Sequence, residues 1–153
     1  MDFKKTITIK FNSNSKISGT NNNNLNYYID WSAILDNNKP YILTWTYTSQ
    51  QQATNAFTNL TKLASVYINI FANNYNANSY GAGITQNIGN LKADNNTLYA
   101  DTNVNMPIFL NSRPLDNNVN IQILTNDSPA VVWTDALAAV PNNYILTLNF
   151  TEV

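Results

Sequence analysis

A chain of 153 residues with 44% hydrophobic content can build one domain with a real core, and its net charge of −1 argues against a strong nucleic-acid footprint. It contains no His, no Cys and a single Glu, Glu152, which closes off Ser-His-Asp and Cys-His nucleophiles, ordinary zinc sites, disulfides and thiol redox chemistry. In their place stand 30 Asn, with charged residues at only 11%. Compositional drift would raise Asn, but also Lys, and Lys and Arg together number 8. A neutral amide donates and accepts hydrogen bonds without adding charge, so surfaces rich in it pack side by side without repulsion.

Along the chain, alternation of apolar and polar residues is the dominant signal. In the first strand Phe3, Ile7, Ile9 and Phe11 share one face, and Thr6, Thr8 and Lys10 the other. A polar loop from Asn12 to Asn24 follows, and a second strand runs from Leu25 to Trp31, with Leu25, Tyr27, Ile29 and Trp31 in phase. Ser32 to Leu35 suits a short turn, and Asp36-Asn37-Asn38-Lys39-Pro40 a loop. Tyr41 to Thr48 is the cleanest strand, with Tyr41, Leu43, Trp45 and Tyr47 on one face. From Ser49 to Ala64 the spacing of Ala53, Phe57, Leu60 and Ala64 is helical, but Thr and Asn fill the interior. A long loop with at most one or two helical turns is expected there.

Ser65 to Phe71 reads as a strand, then an Asn/Tyr/Gly loop runs from Ala72 to Gly83. Weaker strands are expected around Ile84 to Ile88, Thr97 to Ala100 and Ile108 to Leu110. Val119 to Leu124, Val131 to Trp133 and Tyr144 to Val153 complete the series. The pattern predicts an all-β fold: a single-domain antiparallel β-sandwich over residues 1–153, jelly-roll-like, with eight or nine short strands and little or no helix. The first and last strands are expected side by side. With only 4 Gly for so many turns, Asn is expected to supply turn chemistry, including left-handed positions. The N-terminal residues show no apolar signal-peptide core and no run reaches membrane-spanning length, so synthesis in a cytoplasm is expected.

The candidate sites are few. Asp36, Asp94, Asp116 and Asp127 stand in turn-like contexts, which argues against a buried carboxylate pair for glycoside hydrolysis. Asp101-x-Asn103-x-Asn105 opens like a calcium loop but has Met106 where Gly is required and Ser112 where a bidentate Glu belongs, so turn chemistry explains it better. Four Asn-x-Ser/Thr sequons, at Asn59, Asn95, Asn126 and Asn149, are what this composition produces by itself. Lys4, Lys5, Lys10 and Lys16 concentrate half of the cations near the first strand, as an edge protected against unwanted pairing would.

Tyr27, Tyr28, Trp31, Trp45, Tyr47, Tyr75, Tyr80 and Trp133 are the aromatics open to a recognition role. Trp31, Trp45 and Tyr47 alternate in phase with aliphatic residues and are expected in the core. Tyr75 and Tyr80, in a loop, are the better contact residues. Sole Arg113 is expected to make a specific contact: Asp116 or Asp135 within the chain, or a neighbouring subunit.

The segments Asn26-Tyr27-Tyr28-Ile29-Asp30-Trp31, Tyr41-Ile42-Leu43-Thr44-Trp45-Thr46-Tyr47 and Tyr144-Ile145-Leu146-Thr147-Leu148-Asn149-Phe150, with Arg113-Pro114 and Trp133-Thr134-Asp135, resemble small single-sandwich structural proteins of large eukaryotic DNA viruses and related viruses. That resemblance implies a non-enzymatic virion component. It would be a minor capsid, cement or vertex protein without cofactor, working through contacts with a major capsid protein or with copies of itself. Tyr75, Tyr80 and Arg113 are its candidate partner-contact residues. A carbohydrate-binding or adhesion module with a lectin-like sandwich is the alternative, and a small enzyme relying on Asp the remote third.

Overall fold

Alternation becomes strand wherever one face has a core to enter. The computed structural model describes residues 4–19, 24–50, 64–70, 86–94, 97–100, 105–125, 131–132 and 143–153. Its strands are β1 Thr6–Asn12, β2 Asn24–Tyr28, β3 Tyr41–Gln50, β4 Ala64–Ile68, β5 Gln86–Asp94, β6 Thr97–Ala100, β7 Ile108–Leu110, β8 Asn118–Thr125, β9 Val131–Val132 and β10 Asn143–Glu152. Every pairing is antiparallel. The order is β1-β10-β3-β6-β5-β4-β8-β2, with β7 on β3 and β9 on β8.

Divided at the β5–β6 hairpin, this order gives two sheets, β1-β10-β3-β6 and β5-β4-β8-β2. Along the eight main strands the chain crosses between them in the order of a jelly roll, except from β4 to β5, which share a sheet. The first and last strands do lie side by side, Thr6 opposite Thr151 through Asn12 opposite Ile145. Eight strands make the sheets; β7 and β9 are short additions along β3 and β8. The helical elements among the described residues are two 3-10 turns, Ser13–Ser15 and Trp31–Ala33.

Strand β2 ends at Tyr28 rather than at Trp31. Asp30 caps the turn that follows, its carboxylate accepting from the Ser32 N–H at 3.1 Å and the Ser32 hydroxyl at 2.6 Å. Trp31 still enters the core, from the turn, and its indole N–H donates to the Asp116 carbonyl at 2.9 Å. Strand β5 also departs from expectation, running to Asp94 through an irregularity: Val66 faces Gly89 while Tyr67 faces Asn87, leaving Ile88 as the extra residue of a bulge. Gly89 has φ 154, and a Cβ there would collide with the Trp45 ring and the Asn105 amide. The bulge turns the Ile88 carbonyl toward Trp45, whose indole N–H bonds it at 3.0 Å across the sandwich.

The core is one cluster fed by both sheets. Tyr41, Leu43, Trp45 and Tyr47 of β3 and Tyr144, Leu146, Leu148 and Phe150 of β10 meet Leu25, Tyr27, Val66, Ile68, Ile88, Val119, Ile121 and Ile123. Phe150 is fully buried and makes T-shaped contacts with Trp31 and Tyr41, centroids 5.7 Å and 6.3 Å away. At the other end the Tyr27 hydroxyl donates to the Asn12 carbonyl at 3.1 Å and lies 3.4 Å from the Tyr144 hydroxyl. Buried Ser13 accepts from the Tyr144 N–H at 3.0 Å, which accounts for a hydroxyl inside this core.

Phe150→Ala should cost about 3–5 kcal/mol, read as a lowered urea midpoint, while Thr46→Ser on the outer face should stay within about 0.5 kcal/mol. Burial raises the ionisation of both Tyr27 and Tyr144 above the ordinary 10.0. The folded chain therefore keeps protons that the unfolded chain releases above that value. Unfolding free energy should hold level to about pH 9 and fall as the pH climbs past 10. The double change Tyr27→Phe and Tyr144→Phe should make that alkaline decline shallower in denaturant titrations at stepped pH.

Candidate functional site

Arg113 stands in the 111–117 loop between β7 and β8, half-buried, and its Nη1 donates to the Leu35 carbonyl at 3.3 Å. The pair with Asp116 does not form. That carboxylate accepts instead from the Asn118 N–H at 2.9 Å, because a side-chain acceptor two residues ahead of a free N–H closes a local turn with little loss of entropy. Among the described residues the ion pair present is Lys39 with Glu152, at 3.2 Å on the surface. Tyr75, Tyr80, Trp133 and Asp135 lie outside the described residues, as do Asp101 and Asn103.

Asp30, Asp36 and Asp116 are exposed turn formers, whereas Asp94, expected in a turn, is the last residue of β5 and pairs with Thr97. Asp30 and Asp36 accept from the N–H groups of Ser32 and Asn38, as Asp116 does from Asn118. Asn12 and Asn87 make the same turn toward Asn14 and Gly89. Among the described residues no group of three or more His, Cys, Asp or Glu is placed to hold a metal, and no helix is long and apolar enough to cross a membrane.

Two amides do something sequence reading missed: each replaces a strand. Asn105 accepts from the Asn90 N–H at 2.8 Å and donates to the Asn90 carbonyl at 2.9 Å, closing both backbone groups of one residue. Asn69, just past the end of β4, accepts from the Asn120 N–H at 2.7 Å and donates to the Asn118 carbonyl at 2.8 Å, extending the ladder along β8. An amide carries the same donor and acceptor as a peptide unit, so it finishes a ladder without more chain.

Two outer faces are open. On the β1-β10-β3 sheet, Thr6, Thr8, Lys10, Thr44, Thr46, Thr48, Thr147, Asn149 and Thr151 point away from the core, with Ile42 and Ile145 among them. Thr6 meets Thr151 at 3.1 Å and Thr8 donates to Asn149 at 2.7 Å. One lysine is the only charge of that group.

On the other sheet, β2 and β8 present a ladder of three outward pairs: Tyr28 with Asn118, Asn26 with Asn120, and Asn24 with Gln122. The Ile29 N–H bond to the Asn117 carbonyl, 2.9 Å, sets the parity, so these are the non-hydrogen-bonded pairs whose side chains come closest. Asn120 Nδ2 donates to the Oδ1 atoms of both Asn24 and Asn26 at 2.9 Å, and its Oδ1 accepts from Gln122 Nε2 at 2.7 Å. Tyr28 stands at the end of this ladder, 56% exposed. Of the candidate aromatics that are described, Trp31, Trp45, Tyr27 and Tyr47 are core and Tyr28 is the surface one. Its sequence signal was phase: it falls out of step with Leu25 and Tyr27.

Comparison with protein families, with curated proteins and with solved structures gives no match. Asn105→Ala should leave the part-buried Asn90 N–H and carbonyl without partners and cost about 1–3 kcal/mol in chemical denaturation. Arg113→Ala should change stability by less than about 1 kcal/mol, since one long bond to a carbonyl is what it makes within the described fold.

Proposed function

We propose that the protein is a non-enzymatic structural component of a virion, a minor capsid, cement or vertex protein, that works through lateral contacts with capsid subunits or with copies of itself. The observation carrying this reading is the strand order itself, a complete jelly roll, an architecture that recurs in capsid domains. Lectin domains and cupins share it, so the surface supplies the second support. The outer face of β1, β10 and β3 is a sheet of hydroxyls and amides with a single lysine and two exposed aliphatic residues, Ile42 and Ile145. Such a face packs against a neighbour without burying unpaired charge. The resemblance of the Tyr41 to Tyr47 and Tyr144 to Phe150 segments to viral sandwich proteins points the same way. Tyr75, Tyr80 and Arg113 remain the proposed contact residues, Arg113 because its guanidinium keeps N–H groups for a partner's acceptor.

Quantitative mass spectrometry across a density gradient of particles tests this. The protein should hold a constant ratio to the most abundant particle protein through the particle peak and after a high-salt wash. Recovery outside that peak would overturn the proposal. Ile42→Lys should lower incorporation while leaving the melting temperature near that of the parent, because the residue is on the outer face.

A further inference from the structure

The geometry points to the β2–β8 ladder as a binding site for a neutral oligosaccharide. The six side chains Asn24, Asn26, Tyr28, Asn118, Asn120 and Gln122 carry no charge, stand in three rows and each bring hydrogen-bonding groups. Rows along a strand are roughly 7 Å apart, so the ladder is long enough for several sugar rings rather than one. An ionic ligand would find no counter-charge on it. A chain of sugar hydroxyls, each both donor and acceptor, matches an array of amides group for group.

Orientation is the second argument. Asn120 spends its donors on Asn24 and Asn26 and its acceptor on Gln122. With both Oδ1 atoms taken by Asn120, the Asn24 amide N–H groups make no bond among the described residues; Asn26 shares one of its own with Ser18 Oγ at 3.0 Å. Gln122, held by its nitrogen, keeps its oxygen for a ligand. Asn120 is therefore a positioning residue, and the array is set before any ligand arrives, which removes part of the ordering cost of binding. The third argument is Tyr28, an exposed ring directly opposite the Asn118 amide, which offers an apolar face to the C–H side of a sugar beside polar groups for its hydroxyls.

The test is titration of the full chain with cellohexaose, maltohexaose, mannohexaose and chitohexaose, with a sulfated heparin hexasaccharide as the charged comparator, followed by calorimetry and by amide NMR shifts. At least one neutral hexasaccharide is expected to bind with Kd below about 1 mM and to shift signals of Asn26, Asn118 and Asn120. Tyr28→Ala should weaken it about tenfold or more, and Asn118→Ala severalfold, while Asn14→Ala, outside the ladder, leaves it unchanged. Tyr28 and Asn118 are exposed, and the melting temperature of each variant verifies its fold. Absence of neutral-sugar binding at 10-fold that concentration, preference for the sulfated sugar, or binding unaffected by Tyr28→Ala and Asn118→Ala would each overturn the assignment. Particle association of the same variants, measured separately, keeps this outcome distinct from that of the structural role.

Discussion

Insertion of β10 between β1 and β3 is the contact on which the remaining architecture depends. Its ten residues pair with the ten of β3, and seven of them also with β1. A strand bonded on both edges and buried along one face gains the ladder and the core together. Tyr144, Leu146, Leu148 and Phe150 are all buried, each contributing about 1.5–3 kcal/mol. The contacts with β1 join chain positions more than 130 residues apart, so loop closure must be offset before any of them helps. Remove β10 and both β1 and β3 become edges facing an open core.

The aromatic residues of that core decide where the connections go. Six of them carry a polar atom, and for four of these the partner is a backbone group: Trp31 with Asp116, Trp45 with Ile88, Tyr27 with Asn12 and Tyr41 with Asp36. An indole or phenol buried without a partner would forfeit much of what its ring contributes. The β5 bulge, the turn after β2 and the 111–117 loop are thus held to positions where a backbone group reaches a ring. Gly89 is the residue that permits the approach of Trp45, since a Cβ there would meet its ring.

Asn serves this chain in three distinct ways: as an acceptor that closes two-residue turns, as a one-residue substitute for a strand at Asn69 and Asn105, and as a surface of fixed amides on β2 and β8. The first two uses are structural and keep ladders complete where strands stop. The third leaves donors and acceptors turned outward. Together with the hydroxyl face of the opposite sheet, it produces a domain with two exteriors of different chemistry, one without charge and one with a single lysine. One is suited to packing against like surfaces; the other offers an aromatic ring among its amides.

Period-two alternation was enough to determine the all-β class, most strands, and the inward phase of Trp45, Tyr47 and the β10 apolar residues. Those properties depend on which face of a strand is apolar, and residue order carries that directly. The absence of His and Cys likewise restricted the chemistry from composition alone. Tertiary structure decided the rest. The end of β2 at Tyr28 came from a local cap, and the bulge at Ile88 from the need to meet an indole across the sandwich. Asn105 and Asn69 acting as strands, and Asn120 orienting its neighbours, depend on residues brought together from distant positions. An amide reads the same in a loop, a turn or a ladder, because its partners are chosen by geometry and not by its neighbours in the chain. Arg113 shows the same limit: its proximity to Asp116 in sequence suggested an ion pair, and the fold gave that carboxylate to a turn and the guanidinium to the Leu35 carbonyl.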